Sequence, residues 1–201
     1  MIKSYVGERT VSRETLDRLK TLESLIKRWT TKINLIAPST IPDIWNRHIV
    51  DSAQVYYHAN KRGKWVDIGS GAGLPGLVIA ILNEEDNKAG TVTLVESDLR
   101  KSTFLKTAAR ELGIGCEVIN ARIETIKSQQ ADIITARALA PLPKLLEHTS
   151  RHLAPSGITL FPKGAKRQIE VQAARKIWSF EQEEFTSWTD RNDAILRLSR
   201  I

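Results

Sequence analysis

The run Val66-Asp67-Ile68-Gly69-Ser70-Gly71-Ala72-Gly73-Leu74-Pro75-Gly76 constrains this chain more than any other stretch. Three glycines at alternate positions follow directly on a short β-prone segment, Trp65-Val66-Asp67-Ile68, and an apolar helical run comes after them. Without a Cβ, the backbone turns sharply and lets a ligand come close. Strand, glycine loop and helix in that order make the first half of a βαβ unit. Its helix N-terminus points N–H groups toward whatever is bound.

The alternation continues downstream. Residues 74–82 read as a helix, 91–96 as a strand, 99–112 as a helix closed by Gly113, and 115–120 as a third strand. A strand at 131–136, a helix at 142–153, a strand at 158–162 and a basic helix at 165–177 follow, with two last strands near 180–188 and 194–198. Repeated βα units with right-handed crossovers predict a parallel sheet covered on both faces, a doubly wound, Rossmann-like α/β fold. Upstream, Leu16, Leu19, Leu22, Ile26, Trp29, Ile33 and Ile36 fall on one helical face over residues 12–36, with Ser12 as N-cap and a break near Thr30 and Thr31. Pro38 and Pro42 bracket a turn before a second helix at 43–59. The expected organisation is a helical segment, 1–60, packed as one unit with a sheet domain, 61–201.

Two ligand classes compete for the glycine loop. Gly71-x-Gly73-x-x-Gly76 satisfies the dinucleotide fingerprint, with Glu96 about 20 residues further on as a ribose acceptor, so a nicotinamide-dependent oxidoreductase is one reading. Asp67, two positions before the first glycine, favours the other. A carboxylate there repels a pyrophosphate and attracts the ammonium and sulfonium of S-adenosylmethionine. Glu96 ends the next strand, where its carboxylate meets the same crevice and accepts ribose hydroxyls.

Thirty Lys and Arg against 23 Asp and Glu leave a net charge of +7, which makes a polyanion, nucleic acid above all, the natural partner. Basic clusters occur at Lys27-Arg28-Lys32, Lys61-Arg62-Lys64 and Arg100-Lys101, and Lys163, Lys166 and Arg167 follow the fifth strand as candidate phosphate contacts. The lone Cys116 excludes an internal disulfide and a cysteine-built metal site, and His48 has no second ligand at suitable spacing, so no metal is expected. No apolar run approaches the roughly 20 residues of a membrane span, and residues 1–13 lack a secretory apolar core. A cytoplasmic location without membrane contact is the expectation.

The loop 67–76, preceded by Trp45-Asn46-Arg47-His48 and Asp51-Ser52, resembles the bacterial small-subunit ribosomal RNA methyltransferase G family, RsmG, formerly glucose-inhibited division protein B. Glu96-Ser97, Arg100-Lys101, Phe104-Leu105, Thr135-Ala136-Arg137-Ala138 and Phe161-Pro162-Lys163-Gly164 carry the same resemblance over nearly the whole chain. It implies a class I S-adenosylmethionine-dependent methyltransferase fold. It also implies methylation of guanine N7 in 16S ribosomal RNA, at guanosine 527 in conventional numbering, with the RNA or the small ribosomal subunit particle as partner. By position it places the cofactor on Gly69, Leu74, Ile123, Glu124 and Arg137, with Glu96 as the acid of the second strand. A methyltransferase of another acceptor shares the same loop and stays open.

Guanine N7 carries an unprotonated lone pair at neutral pH, so the transfer needs no general base. No catalytic residue is therefore assigned, and His48 and Arg137 are the candidates. Arg137 is expected to meet the cofactor carboxylate or the RNA backbone. Arg47 and His48 are expected to meet substrate, with His48, Asp51 and Ser52 forming a polar wall over the crevice.

Overall fold

The computed structural model describes residues 4–59, 63–86 and 90–201, so the 60/61 boundary, Lys61 and Arg62 lie outside the described residues. A hairpin absent from the sequence reading comes first: β1 (Ser4–Val6) pairs antiparallel with β2 (Arg9–Val11). Three-residue strands are too short to carry an alternation signal. The first helix, α1 (Arg13–Thr30), begins where predicted, because the Ser12 hydroxyl accepts the Thr15 N–H at 3.1 Å. It ends at Thr30, at the expected break, and does not resume toward Ile36. The Thr31 hydroxyl donates to the Arg28 carbonyl at 2.8 Å just beyond the last turn.

The predicted helix 43–59 is composite. A 3-10 segment, Pro38–Asp43, leads into a π-helical turn, Trp45–Val50, and then into α2 (Asp51–His58). A π turn inserts an extra residue into the helix and is frequent at functional sites; this one carries Arg47 and His48.

The remaining elements run β3 (Trp65–Ile68), α3 (Gly76–Glu85), β4 (Val92–Glu96), α4 (Leu99–Leu112), β5 (Glu117–Asn120), β6 (Ala131–Thr135), α5 (Leu142–Ser150), β7 (Leu153–Lys163), α6 (Arg167–Ala174), β8 (Glu181–Thr186) and β9 (Ala194–Ser199). Helix α4 is capped by the Asp98 carboxylate at one end and by left-handed Gly113 at the other. The main sheet is ordered β5-β4-β3-β6-β7-β9-β8. Strands β3 to β7 are parallel, as predicted. The last two are not: β9 runs antiparallel to both β7 and β8. The few residues between β8 and β9 cannot carry a crossover, so the strands join as a hairpin.

Two consequences position the site. Strand order reverses between β3 and β6, and in open α/β sheets the ligand crevice lies outside the carboxyl ends of the strands at such a switch point. Ala194, the first residue of β9, pairs with Lys163, the last of β7, so the β8–β9 loop stands at that same edge. Alternate strand residues feed two cores. Trp65, Leu94, Ile133 and Leu160 pack with α1 to α4, and Val66, Val95, Ile134 and Phe161 pack with α5 and α6. Among the described residues no helix is long and apolar enough to cross a membrane.

Candidate active site

Gly69, Gly71 and Gly73 all hold positive φ, at 65°, 53° and 76°. Only Gly71 is bare toward open space: a Cβ there would meet nothing nearer than the Gly69 carbonyl oxygen at 3.8 Å. Gly73 and Gly76 serve packing instead, since a Cβ would stand 2.3 Å from Leu77 Cδ1 at one and 2.2 Å from Leu94 Cδ2 at the other. The Leu74 side chain is buried in the core, which leaves its backbone as the part near the crevice.

Asp67 sits opposite Thr135 in the β3–β6 register. The Thr135 hydroxyl donates to its Oδ1 at 2.9 Å and the Gly76 N–H to its Oδ2 at 3.2 Å. The side chain is 2% exposed. Its charge therefore acts from behind the loop and not, as its place in the sequence suggests, beside the ligand. Burial pushes its pKa up to about 6, against the pull of the Thr135, Ser70 and Gly76 hydrogen bonds. The Gly76 N–H is spent on Asp67 and the Leu77 N–H on the Gly73 carbonyl, so these amides of α3 are not open to an anion.

Glu96 closes the loop from the neighbouring strand. Its Oε2 accepts the Gly71 N–H and its Oε1 the Asp98 N–H, both at 2.8 Å, while Asn120 of β5 donates to its carbonyl at 2.9 Å. Each carboxylate oxygen has a second lone pair, so the group still accepts from a diol. The same negative charge on the loop opposes a diphosphate. Beyond β5, the 3-10 turn Ile123–Thr125 is gripped from the end of α5 by residues the sequence reading missed. Arg151 donates to the carbonyls of Glu124 and Ile126 at 2.7 and 2.9 Å, and His152 Nε2 donates to the Ile123 carbonyl at 3.1 Å. Ile123 is buried, and the Glu124 carboxylate is exposed, 3.7 Å from His148 Nδ1.

A cavity of about 780 Å³ opens beside the loop, with Arg47, His48, Asp51, Arg137, Leu139 and Lys163 in its walls. Arg137 reaches back to Asp51 Oδ2 and to the Arg47 carbonyl, each at 3.3 Å. Arg137 is thus paired with an acid of the N-terminal helical segment. The Thr40 hydroxyl donates to the Ala37 carbonyl, so at 2.8 Å from His48 Nε2 it must accept from that nitrogen. His48 is held as the neutral Nε2–H tautomer, and burial with the Arg137 and Arg47 charges lowers its pKa to about 4. Ser52 does not join the polar wall: it is fully buried, with its hydroxyl facing the core.

The basic residues after β7 divide. Lys163 Nζ donates to Glu170 Oε2 at 2.7 Å and to the Ala140 carbonyl at 3.1 Å. Arg167 bonds Glu184 Oε1 at 2.7 Å and the Asn192 carbonyl. Both charges are engaged within the protein, whereas Lys166 is exposed. The far wall comes from the β8–β9 loop, through Ser187, Thr189, Asp190 and Asp193. Burial and the neighbouring Asp190 and Asp51 carboxylates raise the Asp193 pKa. Nothing in the sequence pattern marked this loop, which is brought in only by the antiparallel hairpin. Among the described residues no cluster of three or more His, Cys, Asp or Glu is arranged to hold a metal ion.

A glycine loop tied to the acid of the adjacent strand at the switch point of a β5-β4-β3-β6-β7-β9-β8 sheet defines a class I methyltransferase fold. Solved structures agree on the fold. A TehB-like SAM-dependent methyltransferase from Corynebacterium glutamicum superposes with TM-score 0.59 at 18% identity, covering 90% of this chain and 99% of that one. A SAM-dependent methyltransferase from Aquifex aeolicus superposes with TM-score 0.61 at 16% identity, over 88% and 97%. The profile of the GidB family, rRNA small subunit methyltransferase G, matches residues 15–196. Ribosomal RNA small subunit methyltransferase G of Ruegeria sp. (strain TM1040) is 48% identical over 96% of this chain and 95% of its own. The protein of that name from Cereibacter sphaeroides (strain ATCC 17029) is 45% identical over 100% and 98%. The chain belongs to the rRNA small subunit methyltransferase G family.

Proposed function

We propose that the protein transfers a methyl group from S-adenosylmethionine to N7 of a guanine in 16S ribosomal RNA, guanosine 527 in conventional numbering. The observation that carries this reading is the cavity lined by Arg47, His48 and Arg137, which meets the glycine loop where Leu139 of its wall rests on Gly69. S-adenosylmethionine supplies an electrophilic methyl on a sulfonium. Bare Gly71, with Gly69 behind it under Leu139, would hold it against backbone, Glu96 would accept its ribose hydroxyls, and the turn at Ile123 and Glu124 would border its adenine. Asp67 keeps the loop in shape from beneath.

On the acceptor side the N7 lone pair forms the new N–C bond while the S–C bonding pair returns to sulfur, and no proton need leave N7. His48 fits this chemistry as a neutral wall, since Thr40 fixes its Nε2–H and burial with the Arg137 and Arg47 charges lowers its pKa to about 4. Positive charge moves onto the purine during transfer, and the Asp190 and Asp193 carboxylates across the cavity offset it. Arg47 and exposed Lys166 supply cationic contacts for the phosphate backbone; Arg137, held by Asp51, orients the acceptor or the cofactor carboxylate. A base acted on by an enzyme must be unstacked, which a loop guanine in a small-subunit particle satisfies.

The test is to map 7-methylguanosine in 16S ribosomal RNA from cells with and without the gene, and to repeat the transfer in vitro on particles and on naked RNA. Methylation at one guanine, dependent on the gene, is the expected result. Unaltered 7-methylguanosine in the deletion overturns the reading.

A further inference from the structure

Leu139 belongs to both halves of the site. Its Cδ1 lies 2.6 Å from where a Cβ on Gly69 would be, so the side chain rests on the bare backbone at the start of the glycine loop. The same residue lines the cavity beside Arg47, His48 and Arg137. It remains 40% exposed, a poor outcome for a leucine unless something apolar or planar covers it.

The backbone gives it little freedom to retreat. Ala138 holds a left-handed φ of 53°. The Ala140 carbonyl accepts from Lys163 Nζ at 3.1 Å, and the Leu142 N–H donates to Glu170 Oε2 at 2.8 Å. Lys163 and Glu170 are themselves paired, so both strings end on one anchor. Segment 138–142 is thus pinned at its far end and bent at its near end, with Leu139 pushed between loop and cavity.

From this placement we infer that Leu139 is the positioning residue at the donor–acceptor boundary, where its side chain sets the lateral position of the acceptor base against the transferring methyl. The inference rests on the guanine N7 reading above. Chemistry favours an apolar group here. N7 is a hydrogen-bond acceptor, and any donor or ordered water beside it would occupy the lone pair that must attack carbon. Leucine offers no donor and displaces water. In-line transfer also needs the reacting atoms held about 3–3.5 Å apart, and a misplacement of about 1 Å costs on the order of 10²-fold in rate.

Leu139→Ala and Leu139→Met test this by single-turnover methylation of unmethylated small-subunit particles, with calorimetric affinity for S-adenosylhomocysteine measured alongside. Leu139→Ala should slow the single-turnover step by on the order of 10²-fold while S-adenosylhomocysteine affinity stays near wild type, and Leu139→Met should recover most of the rate. An affinity that falls in step with the rate would reduce Leu139 to part of the cofactor wall and overturn the inference. So would Leu139→Ala, or Leu139→Val if the Ala protein fails to fold, keeping the wild-type single-turnover rate. A wild-type protein that methylates no particle overturns the N7 reading itself, a result distinct from an active wild type matched by its variants.

Discussion

Arg137 Nη1 stands 3.3 Å from Asp51 Oδ2, joining the loop after β6 to the first residue of α2, with both side chains less than one-fifth exposed. The N-terminal helical segment and the sheet edge are thereby tied at the crevice. Removing Asp51 leaves a largely buried guanidinium without its acid. Asp51→Ala should lower unfolding stability by about 1–3 kcal/mol in urea titrations. Arg137→Ala should depress turnover more than stability, and the double variant should lose less than the sum of the two. A purely thermal effect of Arg137→Ala would make the pair a structural strut.

Asp67 makes stability depend on pH in a defined direction. Its folded pKa of about 6 lies above the unfolded 3.8. The folded state therefore binds the proton more tightly, so this contribution is fully present below about pH 3.8 and is lost as pH rises through about 6. Asp67→Asn retains an acceptor for Gly76 and a donor for Thr135 without the charge. Relative to wild type it should gain on the order of 2 kcal/mol between pH 4 and 7, read from urea unfolding across that range.

His48 and Asp67 also separate in function. Protonating Asp67 removes the negative charge behind the glycine loop, so affinity for the cationic S-adenosylmethionine should weaken below about pH 6. His48, lowered to about 4, titrates outside that limb. His48→Gln should leave the pH dependence of cofactor affinity in place, and Asp67→Asn should flatten it. Calorimetric titrations from pH 5 to 8 decide the matter.

The glycines should differ by position. Gly71→Ala faces only open space and the left-handed penalty of roughly 1–2 kcal/mol. It should weaken cofactor binding with a modest loss of thermal stability. Gly73→Ala drives a methyl into Leu77 and should cost more stability, in addition to any loss of binding.

Binding to RNA should weaken linearly on a log–log plot as salt rises, with a slope near −0.7 for each phosphate contacted on a single strand. Lys166→Ala should reduce that slope by less than one contact. Lys163→Ala should leave it nearly unchanged, because Glu170 already neutralises that charge. Filter binding between 50 and 300 mM salt, on the order of the Debye-screening range, reads both.

Local chemistry made much of this protein legible before any coordinates. The Ser12 cap, the Gly113 stop, the all-buried strand Trp65–Ile68 and the glycine loop each depend on a few neighbouring residues, whose backbone preferences act over one turn or one strand. The loop also announced its acid partner, since strand ends in a βαβ sheet meet at one edge. What the chain order could not reveal were contacts made across long separations. Asp67 turned inward because the β3–β6 register put Thr135 beside it, 68 residues away. Arg137 found Asp51 across 86 residues, and the antiparallel β8–β9 hairpin carried Asp190 and Asp193 to the crevice. Such pairings arise only when the sheet assembles and desolvation forces each buried charge to find a partner, so tertiary structure alone decided which charges face the ligand and which hold the fold.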